Sequence, residues 1–390
     1  MNGDERYHRQ MLLPQIGEAG QDRLRGSRVL LVGCGALGCP VADLLVRAGV
    51  GRITIVDRDV VERTNLQRQT LFDEADAIAG RSKAEAAAAR LRRVNSRVIV
   101  DAVVADFSPR NAEPLLEGAP DAVVGSDAPT APDAARSRPA RRADVLVDGT
   151  DNFLTRYLLN DLAVKHGVPL VYGGAVGAAG MSMTIIPGRT PCLRCVFPDA
   201  PAPSGPLHAT CDTAGILAPV STLIGAVQAI EVIKLLVGNA DAASADLAEF
   251  DLWHNRARRF SVVALRSDSC ECCVQRNFPF LGGRYDSDVR VICTRHAGGA
   301  VQVVPPRRAG MGAGASDAPG GVHLPTLAQR LRSQGRFDAT PSALRGYLDH
   351  ESGEGMHGIE LTVFSDGRAI IRGTTDTGVA RSIYARYVGE

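Results

Sequence analysis

The stretch that most constrains this chain is Gly33-Cys-Gly35-Ala-Leu-Gly38, which follows directly on Arg28-Val-Leu-Leu-Val32 and leads into a helical pattern from Leu37 to Ala48. A short apolar run ending in glycines reads as a buried parallel strand. Pro40 falls in the first turn of the helix, where a missing N–H costs little. Ile53-Thr-Ile-Val-Asp57 reads as a second strand. Residues 28–57 therefore form a strand–helix–strand unit, which crosses over right-handed. In such a G-x-G-x-x-G turn the glycines allow a tight bend and a close approach of phosphate to the backbone. The helix N-terminus beyond it offers free N–H groups to an anion. Asp57 ends the second strand at the spacing where an acid binds a ribose hydroxyl. By itself the motif says only nucleotide, since NAD and FAD use it as well.

The remaining pattern extends the same architecture. Residues 5–25 carry helix-like stretches broken by Pro14 and Gly17, and 82–93 is strongly helix-forming. Strand-like runs lie at 97–104, 144–148 and 168–172. Residues 217–237 are apolar nearly all round, which predicts a helix buried in the core or in a subunit interface. Residues 118–142 look inserted, and Asp121-Ala-Val-Val-Gly-Ser-Asp127 echoes Asp144-Val-Leu-Val-Asp-Gly-Thr-Asp151, so either copy is a candidate for the sheet strand. The Gly-, Pro- and Ala-rich segment 305–321 reads as a linker or long loop. A helix at 324–334, strands around 359–371 broken at Ser365-Asp-Gly367, and a helix near 376–387 complete a small C-terminal module. The expected fold is α/β. It is a Rossmann-like, mostly parallel sheet with helices on both faces, continued by a partly antiparallel half, plus a small C-terminal α/β (α+β) module. The expected boundaries are 1–280, then 281–323 as linker and module start, then 324–390.

With 44 basic and 43 acidic residues, no overall field draws the chain to nucleic acid or to a membrane surface. No apolar run is expected to reach the length that spans a bilayer. Met1-Asn-Gly-Asp-Glu-Arg-Tyr-His-Arg-Gln10 has no apolar core and does not read as a secretory signal, so a cytoplasmic location is the simplest expectation. In a reducing compartment the cysteine spacing then points to metal. Cys192-Leu-Arg-Cys195 and Cys270-Glu-Cys-Cys273 supply two knuckles and four thiolates, the donor set of a closed tetrahedral Zn²⁺ site with a structural role. Cys272 leaves the second pairing open, although Cys270 with Cys273 has the required spacing. Cys34 and Cys39 flank the glycine turn as small packing residues, and nothing distinguishes Cys293 from a buried apolar position.

Downstream of the glycines lie Asp57 and Asp59, Asn65-Leu-Gln-Arg68-Gln69, Lys83 at the start of a helix, and Thr150-Asp151-Asn152 at the start of another. Hydride transfer has no need of such cations. A triphosphate does, because Arg and Lys neutralise its oxygens and an Asp holds Mg²⁺. No G-x-x-x-x-G-K-[ST] is present, which excludes a P-loop. Taken in order, R-Y-x-R-Q, G-x-G-x-x-G, D-x-D, N-L-Q-R-Q, Lys, T-D-N, C-x-x-C, T-C and C-x-x-C resemble the MoeB/ThiF family over residues 5–280. These are adenylyltransferases of sulfur-carrier proteins and relatives of ubiquitin-activating enzymes.

The resemblance implies ATP-dependent activation of the C-terminal Gly carboxylate of a small ubiquitin-like carrier ending in Gly-Gly, with pyrophosphate released. It implies that Gly33, Gly35 and Gly38 line the phosphates and that Asp57 binds the ribose, with Asp59 beside it. It further implies that Asn65, Arg68 and Lys83 contact phosphates or the developing transition state, and that Asp151 holds Mg²⁺. Arg9 is implied to reach into the site of a second copy, which makes the enzyme a homodimer. Cys211, in Thr210-Cys211-Asp-Thr-Ala-Gly215, occupies a position where some members form a covalent intermediate with the carrier and others carry a cysteine without needing it. A sulfurtransferase or cysteine desulfurase is an implied further partner. The C-terminal module has no cysteine heading an anion-cradling loop and is not expected to be a sulfurtransferase. Adenylation of a peptide terminus or a tRNA-bound carboxylate, an NAD-binding oxidoreductase and a non-catalytic scaffold remain alternatives at this point.

Overall fold

A computed structural model of the chain describes residues 5–119, 141–198, 215–285, 289–292, 299–304, 322–340, 343–349, 351 and 358–389. It divides into two compact units, the first ending at Tyr285 and the second running from Asp286 to Glu390.

The first unit is built on an eight-stranded sheet. In chain order its strands are β1 (Arg28–Val32), β2 (Arg52–Val56), β3 (Ile99–Val103), β4 (Val145–Asp148), β5 (Leu170–Val176), β6 (Ala179–Ile185), β7 (Leu247–Asp251) and β8 (Arg256–Phe260). Across the sheet they run β3-β2-β1-β4-β5-β6-β7-β8. The first five are parallel. From β5 onward the pairs are antiparallel. Every residue of β1 is buried, as a parallel strand covered by helices on both faces requires. The order reverses between β1 and β4, and that reversal opens a crevice at the carboxyl ends of the two strands. The mostly parallel sheet with an antiparallel continuation is the architecture expected from the sequence.

Local chemistry fixes the helices around the crevice. Helix Gly38–Ala48 stops at Gly49, whose φ of 86° is a left-handed cap. Helix Lys83–Val94 is capped by the Ser82 hydroxyl, which accepts from the Glu85 N–H. Helix Phe153–His166 is capped by Asn152 and stopped at Gly167, φ 67°. Of the two echoing segments, the one beginning at Asp144 forms the sheet strand; the segment at Asp121 lies outside the described residues.

One expectation needs correcting. Helix Ala218–Leu236 has 19 residues and is long and apolar enough, by length and composition, to cross a membrane. Its setting explains why so apolar a sequence occurs here. Gln228 on this helix is fully buried and donates to the backbone oxygens of Asp148 (2.7 Å) and Val171 (3.3 Å). Glu231 accepts from Thr184 Oγ1 of β6. Its apolar face packs into the core with Val232 and Leu236. The helix therefore supports the sheet directly beneath the crevice.

The second unit is an antiparallel six-stranded sheet of β9 (Val289–Ile292), β10 (Ala300–Val303), β11 (Gly335–Ala339), β12 (Ala343–Leu348), β13 (Glu360–Phe364) and β14 (Ala369–Arg372), ordered β11-β12-β13-β14-β10-β9. Helices Leu324–Leu331 and Thr377–Tyr387 share a core with it through Leu327, Leu331, Ile371, Ile383 and Tyr384. The helix expected at 324–334 ends three residues sooner. β11 and β12, absent from the sequence reading, follow it as an edge hairpin. The half-exposed and exposed residues of β11 carry no apolar run to mark it. Segment 305–321 lies outside the described residues.

Candidate active site and metal centre

At the crevice the glycines divide into two kinds. Gly33 has φ +88°, and a Cβ there would lie 2.7 Å from the Gly149 carbonyl group. A Cβ on Gly38 would lie 2.0 Å from the Gly33 oxygen, and one on Gly149 2.3 Å from the same atom. These three glycines let the loops leaving β1 and β4 and the first turn of helix Gly38–Ala48 touch. Gly35 differs: a Cβ there would meet only the Gln69 amide nitrogen, at 3.8 Å. It is the one glycine of the motif with open space before it, as a backbone approached by phosphate must be. Gly38→Ala should therefore lower both stability and nucleotide affinity, the affinity by about 10-fold or more given the usual cost of overpacking. Gly35→Ala should melt like the native protein yet bind nucleotide comparably weakly. Calorimetry with MgATP beside a thermal melt separates the two; equal melting temperatures for both variants would contradict this division.

Asp57 sits under the glycine loop. Its carboxylate accepts from the Cys34 N–H (2.7 Å) and the Asp59 N–H (2.8 Å), which leaves acceptor sites for a ligand hydroxyl. Burial pushes the Asp57 carboxyl above its ordinary range, and the Lys83 ammonium opposes that. A β-bridge between Val60 and Ser82 brings Lys83 alongside. The Lys83 N–H donates to the Asp59 oxygen (2.8 Å), and Nζ lies 3.0 Å from Asp59 Oδ2. Burial alone would lower the Lys83 pKa, but Asp59 and Asp57 outweigh it and hold the ammonium firmly charged.

The sequence reading passed over Arg58 and Arg156. Arg58, between the two aspartates, lies 3.2 Å from Asp106 and 3.7 Å from Asp59. Its position in Asp57-Arg-Asp59 was the available signal. Arg156 closes the other side. Its Nη2 donates to the oxygens of Thr150 (2.7 Å) and Gly173 (3.3 Å), and its Nε lies 3.3 Å from Asp148 Oδ2. Asp148 in turn accepts from the Thr150 N–H and hydroxyl. The loop carrying Asp151 is thus pinned at both ends while Asp151 itself is exposed. Asp151 is near enough to Lys83 and Arg58 to help hold both charged.

Asn65 and Arg68 are buried together on the turn beginning at Arg63. Asn65 Oδ1 accepts from the Glu62 N–H, and Arg68 Nη1 donates to the Thr64 oxygen. The Gln69 amide nitrogen lies 3.8 Å from where a Cβ on Gly35 would stand, so that turn and the glycine loop are neighbours. Arg9 is exposed on the short helix His8–Met11. Cys211 and Cys293 lie outside the described residues. Fixed cations, an exposed carboxylate and an open glycine backbone together suit a Mg²⁺-bound nucleoside triphosphate.

The cysteines form a second centre. The sulfurs of Cys192, Cys195, Cys270 and Cys273 all lie within 4.8 Å of one another. Three of the separations are 3.8, 3.7 and 3.5 Å. A tetrahedron of thiolates about 2.3 Å from zinc has edges of about 3.8 Å, so the donor set fits zinc. Cys272 is excluded from this shell. It is fully buried, and its sulfur accepts from Asn160 Nδ2 at 3.2 Å.

The sequence matches the ThiF family over residues 7–272. It is 37% identical over 384 residues to the sulfur carrier protein ThiS adenylyltransferase of Bacillus subtilis (strain 168), covering 98% of this chain and 99% of that protein. It is 40% identical over 271 residues to the adenylyltransferase and sulfurtransferase MOCS3 of Sus scrofa, covering 70% of this chain. In that comparison the chain spans about half of the relative's length, 53%. The crystal structure of E. coli MccB shares the fold, with a TM-score of 0.55 at 22% identity over 70% of this chain and 74% of that one.

Proposed function

The chain belongs to the ThiF family, and on that premise we propose that it is an ATP-dependent adenylyltransferase acting on the C-terminal Gly carboxylate of a ubiquitin-like sulfur carrier. The observation that carries the reading is the Asp57–Asp59–Lys83–Arg58 cluster beside the open Gly35 backbone at the β1/β4 crevice. Hydride transfer would leave those cations without a role.

In the reaction a carboxylate oxygen of the carrier attacks the α-phosphorus of ATP. The bond to the pyrophosphate oxygen breaks, and an acyl-adenylate and pyrophosphate result. The carboxylate is already ionised at neutral pH, so no general base is required. What the protein contributes is position and charge. Lys83 and Arg68 neutralise phosphate oxygens, and Arg58 adds a third cation. Asn65 contacts phosphate, Asp57 takes the ribose, and the Gly35 backbone lets the phosphates come close. Asp151 would hold Mg²⁺, which supplies further charge neutralisation when bound. Arg9 from a second copy completes the site in a homodimer, an arrangement in which activity depends on assembly. Cys211 serves the later sulfur-transfer step, with a sulfurtransferase or cysteine desulfurase as the sulfur donor in the cytoplasm. The C-terminal module, residues 324–390, takes no part in sulfur transfer in this proposal.

ATP–pyrophosphate exchange with carriers ending in Gly-Gly tests the proposal. Exchange should depend on one such carrier and vanish when its terminal Gly-Gly is removed. Cys211→Ala should retain it within about 2-fold, because adenylation precedes any covalent chemistry on a thiol. A folded, zinc-loaded protein that exchanges with none of these carriers would refute the sulfur-carrier reading.

A further inference from the structure

Helix Phe153–His166 reaches both centres. At its N-terminal end, Asn152 caps it next to Asp151, and Arg156 grips the loop through the Thr150 oxygen and Asp148. One turn further on, the helix holds the cysteine knuckles. The Tyr157 hydroxyl donates to the Phe197 oxygen at 2.7 Å, just past the first knuckle. Asn160 stands four residues after Arg156 and is fully buried. Its Oδ1 accepts at 2.8 Å from the N–H of Leu193, between the two cysteines of the first knuckle. Its Nδ2 donates at 3.2 Å to Cys272, between the two cysteines of the second. Asp161 follows and accepts from the N–H groups of Phe280 (2.9 Å) and Leu281 (3.3 Å), beyond the second knuckle. One amide therefore touches both knuckles. Along one face of the helix, four residues away, a guanidinium sets the nucleotide loop.

We propose that Asn160 is a positioning residue that couples the zinc centre to the Asp151 loop, so that zinc and MgATP each favour binding of the other. The proposal rests on the nucleotide and zinc readings given above. When the four thiolates close on the metal, the two knuckles are fixed against each other, and Asn160 fixes the helix against both. The helix end presenting Asp151 is then held in one place before nucleotide arrives. Such coupling runs through contiguous packed groups and is reciprocal: the factor by which zinc tightens MgATP equals the factor by which MgATP tightens zinc.

The test is chelator competition for zinc at equilibrium, with and without saturating MgATP in excess Mg²⁺, and calorimetry of MgATP on the same zinc-loaded chain. In the native protein MgATP should tighten zinc by about 5-fold or more, within the usual range of such couplings. Asn160→Ala, at one zinc per chain, should lose most of that factor and bind MgATP correspondingly more weakly, although Asn160 lies at the zinc end of the helix. Cys272→Ser keeps a hydrogen-bond acceptor and should retain the coupling, while Cys272→Ala should reduce it. If Asn160→Ala does not fold, the native measurement and the Cys272 pair still decide the matter. MgATP that binds natively without changing zinc affinity overturns the coupling alone. An undiminished factor in Asn160→Ala, or in Cys272→Ala should the first not fold, overturns the assigned route. Absence of MgATP binding in the native protein removes the nucleotide reading itself, and the coupling with it.

Discussion

Alanine in place of Asp151 is expected to cut ATP–pyrophosphate exchange by about 10²–10³-fold, the usual effect of removing one preorganised charge from a site of this type. The melting temperature and zinc content should stay at native values. The separation follows from where the residue stands. Asp151 is exposed, while the loop around it is secured by others: Asp148 binds Thr150, Arg156 binds the Thr150 oxygen, and Asn152 caps the following helix. Removing an exposed carboxylate with those contacts intact costs little stability, within about 0.5 kcal/mol. It also takes from Lys83 and Arg58 one anion that helps hold them charged, but Asp59 and Asp57 do more for Lys83, and Asp106 and Asp59 do more for Arg58, so the attraction lost is a minor share. Exchange at near-native rates in the variant would remove Asp151 from the site. A large drop in melting temperature would show that it carries structure instead.

Serine in place of Cys273 should empty the metal centre and lower the melting temperature by about 10 °C. Structural zinc sites in small domains carry free energies on the order of 10 kcal/mol. This unit, which runs to Tyr285, has a large apolar core of its own, so only part of that is expected to appear, roughly 5 kcal/mol, at about 2 °C per kcal/mol, the large-unit end of the usual range. The mechanism is a lost crosslink. The two knuckles are 78 residues apart in sequence, and without metal four thiols would crowd within hydrogen-bonding distance with no bond to hold them. Cys272→Ala, by contrast, should keep one zinc per chain. Metal analysis with thermal denaturation distinguishes the two substitutions. A zinc-free Cys273→Ser protein that melts like the native one would reduce the centre to an ornament on a fold that stands without it.

Much of the first unit was legible because its signals are local. β1, the glycine turn and β2 are contiguous, and each announces itself within a few residues. The cysteine knuckles are likewise local pairs whose partnership follows from metal geometry. The features that escaped depend on distant pairing. Arg58 becomes a site residue only because Asp106 comes back beside it, and Arg156 because Gly173 and Asp148 arrive from two other strands. Helix Ala218–Leu236 is apolar enough to read as buried, but its anchoring through Gln228 to β4 and β5 has no counterpart in periodicity. The hairpin of β11 and β12 lies at a sheet edge with polar residues exposed, so it lacks the run that marks an interior strand.

The disposition of the thiols bears on how the protein can be labelled. Of nine cysteines in the chain, Cys34, Cys39, Cys192, Cys270 and Cys272 are buried, and Cys195 and Cys273, half-buried, belong to the zinc set. An alkylating dye added to the native, metal-loaded chain thus finds these seven either enclosed or engaged as thiolate ligands. The other two thiols, Cys211 and Cys293, lie outside the described residues. In a chain with Cys293 replaced, any dye taken up would therefore mark Cys211 against a quiet background, and the effect of an added carrier on that uptake could be followed in real time.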